Sequence, residues 1–171
     1  NDLGNLAQRV LSMIAKNCGG ILPFPKSDEF DEFNSKQSLI NSQKLLIEIR
    51  PLIAKQAFHE VLECVWVVIR EANRAIDKDE PWQLKKSCIT KMETVLWLHA
   101  ETLRNLGIIL KPFMPGAMDN LLDQLSVKAS DREFSNLSSH GDIDKDTLRG
   151  GVKLPSPKPI FPRYEDNIPI K

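Results

Sequence analysis

Apolar residues recur at spacings of three and four along most of this chain, the period of helices that bury one face. Leu3, Leu6, Ala7, Val10, Leu11, Ile14 and Cys18 form the first stripe and predict a helix over 3–18. Asp2 is positioned to cap it and Gly19-Gly20 to stop it. Asn5, Gln8, Arg9, Ser12 and Lys16 fall off the stripe, on the polar side. Prolines at 23 and 25 mark a connector, and the acidic run 28–34 predicts a short helix anchored by Phe24, Phe30 and Phe33. A second long helix is expected over 35–50, with Leu39, Ile40, Leu46, Ile47 and Ile49 apolar and a break near Pro51.

The strongest pattern lies in 56–77, where Phe58, Val61, Leu62, Val65, Ile69, Ala72 and Ile76 keep helical register. Trp66, Val67 and Val68 widen this stripe, predicting a helix buried on much of its circumference. Its β-branched residues would suit a strand, but a strand of about 20 residues is far beyond the usual 5–6. Asn73 lies one position from the stripe, so its amide needs partners if buried. Residues 78–80 read as a polar turn, and Pro81 suits the first turn of a new element. Another helix is predicted over 87–110, with His99 on its apolar face and expected to be a satisfied core or interface histidine. The K-P-F-M-P run at 111–115 interrupts it, and helical spacing resumes over 117–125. Beyond that, 126–158 reads as a loop with at most one short helix. The proline-rich stretch 153–165 is expected to run extended, docking Ile160, Phe161 and Tyr164 on the bundle.

The fold class is therefore all-α: a bundle of about five helices with an extended Pro-rich C-terminal tail. A single domain is expected over 1–171, with 1–125 as the bundle and 126–171 as a loop and tail packing back. With 42% apolar residues the chain can build a core, and no apolar run nears the ~20 residues of a membrane span. The start at Asn1 lacks a basic n-region and reads as a fragment boundary rather than a signal peptide. Lys+Arg and Asp+Glu both total 23, which argues against affinity resting on bulk phosphate neutralisation. Recognition of a few unstacked bases remains open. Cys18, Cys64 and Cys88 are widely spaced and form no zinc set with His59, His99 and His140, so free thiols are expected.

Catalytic motifs are not found: there is no phosphate-binding glycine loop, H-E-x-x-H or G-x-S-x-G. Lys91-Met92-Glu93-Thr94 superficially resembles a synthetase signature loop but sits in a helical pattern. Trp82, between Pro81 and Lys85-Lys86, is the informative aromatic. It either closes the edge of the core or offers its ring to an unpaired base. Asn5 and Arg9, at i and i+4, are either solvated helix residues or one joint surface.

Three landmarks occur in order: G-N-L-A-Q-R-V at 4–10, A-N-R-A-I-D-K-D-E-P-W-Q-L-K-K at 72–86, and L-K-P-F-M-P at 110–115, followed by P-I-F-P-R-Y-E at 159–165. On these the chain resembles the C-terminal anticodon-binding domain of the methionyl-tRNA synthetases, class I aminoacyl-tRNA synthetases. The resemblance implies a helical bundle that recognises the CAU anticodon of methionine tRNAs. It implies that Asn5 and Arg9 contact anticodon bases and that Trp82 stacks on one. It also implies a cytoplasmic parent enzyme that ligates methionine to tRNA using ATP. Both of those substrates would be handled by a catalytic domain whose motifs this sequence lacks. The implied partners are methionine tRNA and that catalytic domain, with no cofactor or metal here and no membrane or DNA. One departure is Ala75, where the family often has Tyr. Two other readings fit the residues: a helical protein-interaction or scaffold domain without RNA binding, and the equivalent domain of a related class I synthetase.

Overall fold

The computed structural model describes residues 2–24, 26–137 and 148–162. It contains six α-helices: α1 (Asp2–Asn17), α2 (Asn34–Ala54), α3 (Phe58–Asp79), α4 (Pro81–Ser87), α5 (Ile89–Leu110) and α6 (Pro115–Gln124). Short 3-10 turns occupy Ser27–Glu32, Ala129–Asp131 and Phe134–Asn136. The helix beyond the expected five is α4. An extended Cys88 (φ −154°, ψ 101°) separates it from α5.

The central element is α5. Every residue from Thr94 to Leu110 is buried, and α1, α2, α3, α4 and α6 all pack on it. Such a helix lies inside the bundle rather than along its edge. The sequence pattern assigned that place to α3, yet Phe58 and Val67 of α3 are exposed and its burial is one-sided. Burial on all sides obliges the polar residues of α5 to find partners within the fold. The Arg104 guanidinium pairs with the Glu101 carboxylate at 2.6 Å and donates to the Asn136 carbonyl at 2.9 Å. Glu101 also accepts the Leu148 N–H at 3.0 Å, and the Trp97 indole N–H donates to the Leu148 carbonyl at 3.1 Å. Asn105 donates to Ser42 on α2. His99 differs: it is fully buried and neither ring nitrogen finds a partner among the described residues, so the satisfied histidine expected from sequence is not what the fold contains.

Helix α1 buries the predicted stripe and ends at Gly19 and Gly20, both at positive φ (61° and 70°), where a Cβ would be strained. Asp2 is its first helical residue rather than its cap. Pro51 does not break α2, which continues to Ala54. Its core face is Ser35, Ser38, Ser42, Leu45 and Ile49, small near the start, while Ile47 points outward. Phe30 is buried and stacks on Trp97 with centroids 5.6 Å apart, whereas the expected anchor Phe24 is exposed. The connector after α1 pairs with the chain beyond the loop: Leu22 N–H to Val152 O at 2.9 Å, and Leu154 N–H to Gly20 O at 2.9 Å. Ile160 is buried and Phe161 packs on the core; Tyr164 lies outside the described residues. Two 3-10 turns, rather than at most one short helix, interrupt the loop after α6.

Candidate nucleic-acid interface

Helices α1 and α3 pack with two matched pairs of polar side chains. Asn5 Nδ2 donates to Asn73 Oδ1 at 3.3 Å, and Arg9 Nη2 meets Asp77 Oδ1 at 2.5 Å. Both pairs are separated by 68 residues, so the two helices run parallel here and each i, i+4 pair faces the other. Asn73 is held in turn by its own helix and by α1, donating to Ile69 O at 3.1 Å and Asp2 O at 3.0 Å. Its amide is thereby supplied with the partners its half-buried position demands.

The third side chain arrives through the turn between α3 and α4. Glu80 adopts a left-handed conformation (φ 42°, ψ 55°), and its carbonyl accepts the Gln83 N–H at 2.8 Å. Pro81 follows at the first position of α4, buried, where its missing N–H costs nothing. This turn sets Trp82 beneath Arg9, whose guanidinium carbon lies 5.7 Å from the indole centroid, a cation–π contact. Trp82 stays 38% exposed, so the ring belongs to the surface and is not an edge of the core.

Asn5, Arg9 and Trp82, singled out in the sequence, thus belong to one polar, exposed assembly. Asn5 is one helical turn from Arg9, and Arg9 bridges α1, α3 and the ring. Much of its hydrogen-bonding capacity is uncommitted. Among the described residues only Nη2 of Arg9 is engaged, and the Asn5 carbonyl oxygen accepts nothing. The surface can therefore offer an amide donor and acceptor, a planar guanidinium and a π face together.

Sequence reasoning did not single out Asp77 or Asp79. Asp77 fixes Arg9, and the available signal was that 73 and 77 repeat the i, i+4 spacing of 5 and 9. Asp79 is buried behind the turn. Its two carboxylate oxygens accept the Asn34 and Ser35 N–H groups, each at 2.8 Å, and so cap α2. Below the surface lies His99. Burial holds its pKa down at about 4, the Asp79 charge works against that shift, and the Arg9 charge adds to it.

Other features lie elsewhere or are missing. An apolar groove of about 500 Å³ is lined by Ile49, Ile53, Phe58, Ile109, Pro112 and Phe113. Phe58 opens α3 and Trp82 follows its end, so the groove is about 30 Å away along that helix. Among the described residues no cluster of His, Cys, Asp and Glu could hold a metal ion, and no helix is long and apolar enough to cross a membrane. Cys18, Cys64 and Cys88 are free.

No family model matches the chain. Individual relatives do. The methionine–tRNA ligase of Brucella suis is 44% identical over 164 residues, 96% of this chain and 30% of that protein. The methionine–tRNA ligase of Rickettsia felis is 34% identical over 168 residues, 98% of this chain and 32% of that protein. Among solved structures, the free-state methionyl-tRNA synthetase of Mycobacterium tuberculosis superposes with a TM-score of 0.84 at 33% identity, over 96% of this chain and 32% of that one. Its complex with methionyl-adenylate gives 0.83 at 32% identity. The chain spans about a third of the length of the relatives it matches, and over that span it belongs to the methionyl-tRNA synthetase family.

Proposed function

We propose that this chain recognises the CAU anticodon of methionine tRNAs for a cytoplasmic enzyme that ligates methionine to tRNA. ATP and methionine react in that enzyme's catalytic domain, and this bundle contributes specificity by binding the anticodon loop. The supporting observation is the contact of Arg9 with Trp82, one helical turn from Asn5, on an exposed surface. Single-stranded loops are recognised by bases splayed onto aromatic faces and hydrogen-bonded at their edges, and these three side chains supply both functions.

In this reading Trp82 stacks on one anticodon base, while Asn5 and Arg9 read base edges. Binding of a CAU anticodon stem-loop, followed by tryptophan fluorescence, tests it against an altered-anticodon control. Trp82→Ala is expected to weaken CAU binding by about 1–3 kcal/mol. Asn5→Ala and Arg9→Ala are expected to narrow the gap between CAU and altered loops. Unchanged affinity in a folded Trp82→Ala protein would remove the stacking role. Equal binding of both loops by the unaltered chain would favour a protein-interaction domain instead.

A further inference from the structure

Beside the Arg9–Trp82 assembly, α3 carries a second row. Arg70, Arg74 and Lys78 follow one another at i, i+4 and i+8, and all three are exposed. Together with Asn73 and Asp77 they occupy one continuous face of α3, since residues 70, 73, 74, 77 and 78 keep the three-and-four spacing. The row spans about 12 Å along the helix axis. On α4, Lys85 and Lys86 stand three and four positions after Trp82, on the same side as the ring, and are also exposed.

Among the described residues other exposed cations, Lys44, Arg50 and Lys55 among them, also lack an ion pair. This strip is set apart by its row along one face and its place beside Trp82, while several cations elsewhere are paired. Lys36, Lys91, Lys111, Arg104 and Arg132 are each tied to a carboxylate. None of the three α3 cations, nor Lys85 or Lys86, has an ion-pair partner among the described residues, and Lys86 donates only to Gln83. Asp77, the acid within the row, is committed to Arg9. Zero net charge for the whole chain therefore conceals a local cationic strip that borders the aromatic ring.

We propose that Arg70, Arg74 and Lys78, continued by Lys85 and Lys86, form a rail for the phosphate backbone of the RNA strand whose bases meet Trp82. This rests on the anticodon reading for the identity of the RNA. Backbone contacts fix register without reading sequence, and base contacts specify. The rail and the Asn5–Arg9–Trp82 assembly thus carry separable parts of binding. Each phosphate neutralised on a single strand adds about 0.7 to the slope of log affinity against log salt.

The test measures Kd of the 171-residue chain for a CAU stem-loop and an altered-anticodon stem-loop across a salt series. It compares the unaltered chain, the triple variant Arg70→Gln/Arg74→Gln/Lys78→Gln, and Trp82→Ala. All three triple-variant positions are exposed, and circular dichroism verifies its fold. The triple variant is expected to weaken both RNAs by the same factor, preserve the CAU preference, and lower the salt slope by up to about 2. Trp82→Ala is expected to leave the slope intact. A triple variant with unchanged slope and affinity overturns the rail, even if CAU preference stands. A lost slope in a chain that never preferred CAU upholds the rail and overturns the anticodon reading. No binding of either RNA overturns both.

Discussion

Asp77 is worth little to stability and much to placement. Its ion pair with Arg9 lies at the surface, with the acid largely exposed, and such pairs contribute about 0–1 kcal/mol. Without it, however, the Arg9 guanidinium loses the contact that holds it above Trp82. Asp77→Ala is expected to shift the urea midpoint little while reducing discrimination among anticodon loops. A large stability loss would show that the pair is structural instead. His99 makes the opposite case, a residue remote from solvent that matters to stability. Its folded pKa is about 4 against an ordinary 6.5, so between these values the unfolded chain takes up a proton that the native state refuses. Its contribution is intact above pH 6.5 and erodes as pH falls towards 4, by roughly 3 kcal/mol in all. Denaturation at pH 7 and pH 4.5 is expected to show a smaller loss for His99→Leu than for the unaltered chain. An identical pH dependence would mean His99 is not buried neutral. The apolar stripe that carries His99 reveals that it faces the core, but no local pattern states that its nitrogens lack partners.

At the scale of elements, the α3–α4 turn positions the site and also stabilises α2. Asp79 ends α3 and caps the first turn of a helix that begins 45 residues earlier, through two backbone N–H groups. Asp79→Ala is expected to destabilise the chain by about 1–2 kcal/mol, the size of a lost helix cap. Glu80→Gly, which relieves a left-handed non-glycine residue, is expected to be neutral or stabilising by up to about 1 kcal/mol. Urea denaturation of both variants checks the pair of signs. These elements also show what was legible in the sequence. The stripe of α1, the glycine stop at 19–20, the start at Pro81 and the break after Leu110 follow from local rules of period, capping and proline geometry. Phe24 and Ile47 are apolar yet exposed, because hydrophobicity alone does not decide which side of an element faces the core. Pro51 leaves α2 unbroken because it lies only three residues before the helix ends at Ala54, so little helix follows it. Asn5, Arg9 and Trp82 stand out as candidates by residue type and family resemblance, and the fold brings them together. Asp77 and Asp79 became visible only when distant helices were brought together.

At the scale of the molecule, α5 couples the bundle to the loop after α6 through a buried charge. Arg104 and Glu101 are almost wholly removed from water, and among the described residues Arg104 also donates to the Asn136 carbonyl and Glu101 also accepts the Leu148 N–H, on either side of residues 138–147. Burying two charges costs several kcal/mol each, which their attraction offsets only when geometry and further hydrogen bonds are good. Here both conditions hold: the guanidinium reaches both carboxylate oxygens, and the Asn136 carbonyl and Leu148 N–H add further hydrogen bonds. The energetic asymmetry of such a pair gives a sharp expectation. Glu101→Leu alone leaves an unpaired buried cation and is expected to destabilise by about 3–5 kcal/mol. Arg104→Leu alone removes the guanidinium paired with the Glu101 carboxylate and is also expected to destabilise the chain. The double variant, which removes both charges, is expected to recover most of that loss while leaving the Asn136 carbonyl and Leu148 N–H without these partners. Protection of the Leu148 amide in hydrogen exchange is therefore expected to fall in the double variant even where global stability returns. A double variant as unstable as the sum of the singles would show that the pair acts mainly through its bonds to the loop, and not by balancing one buried charge with another.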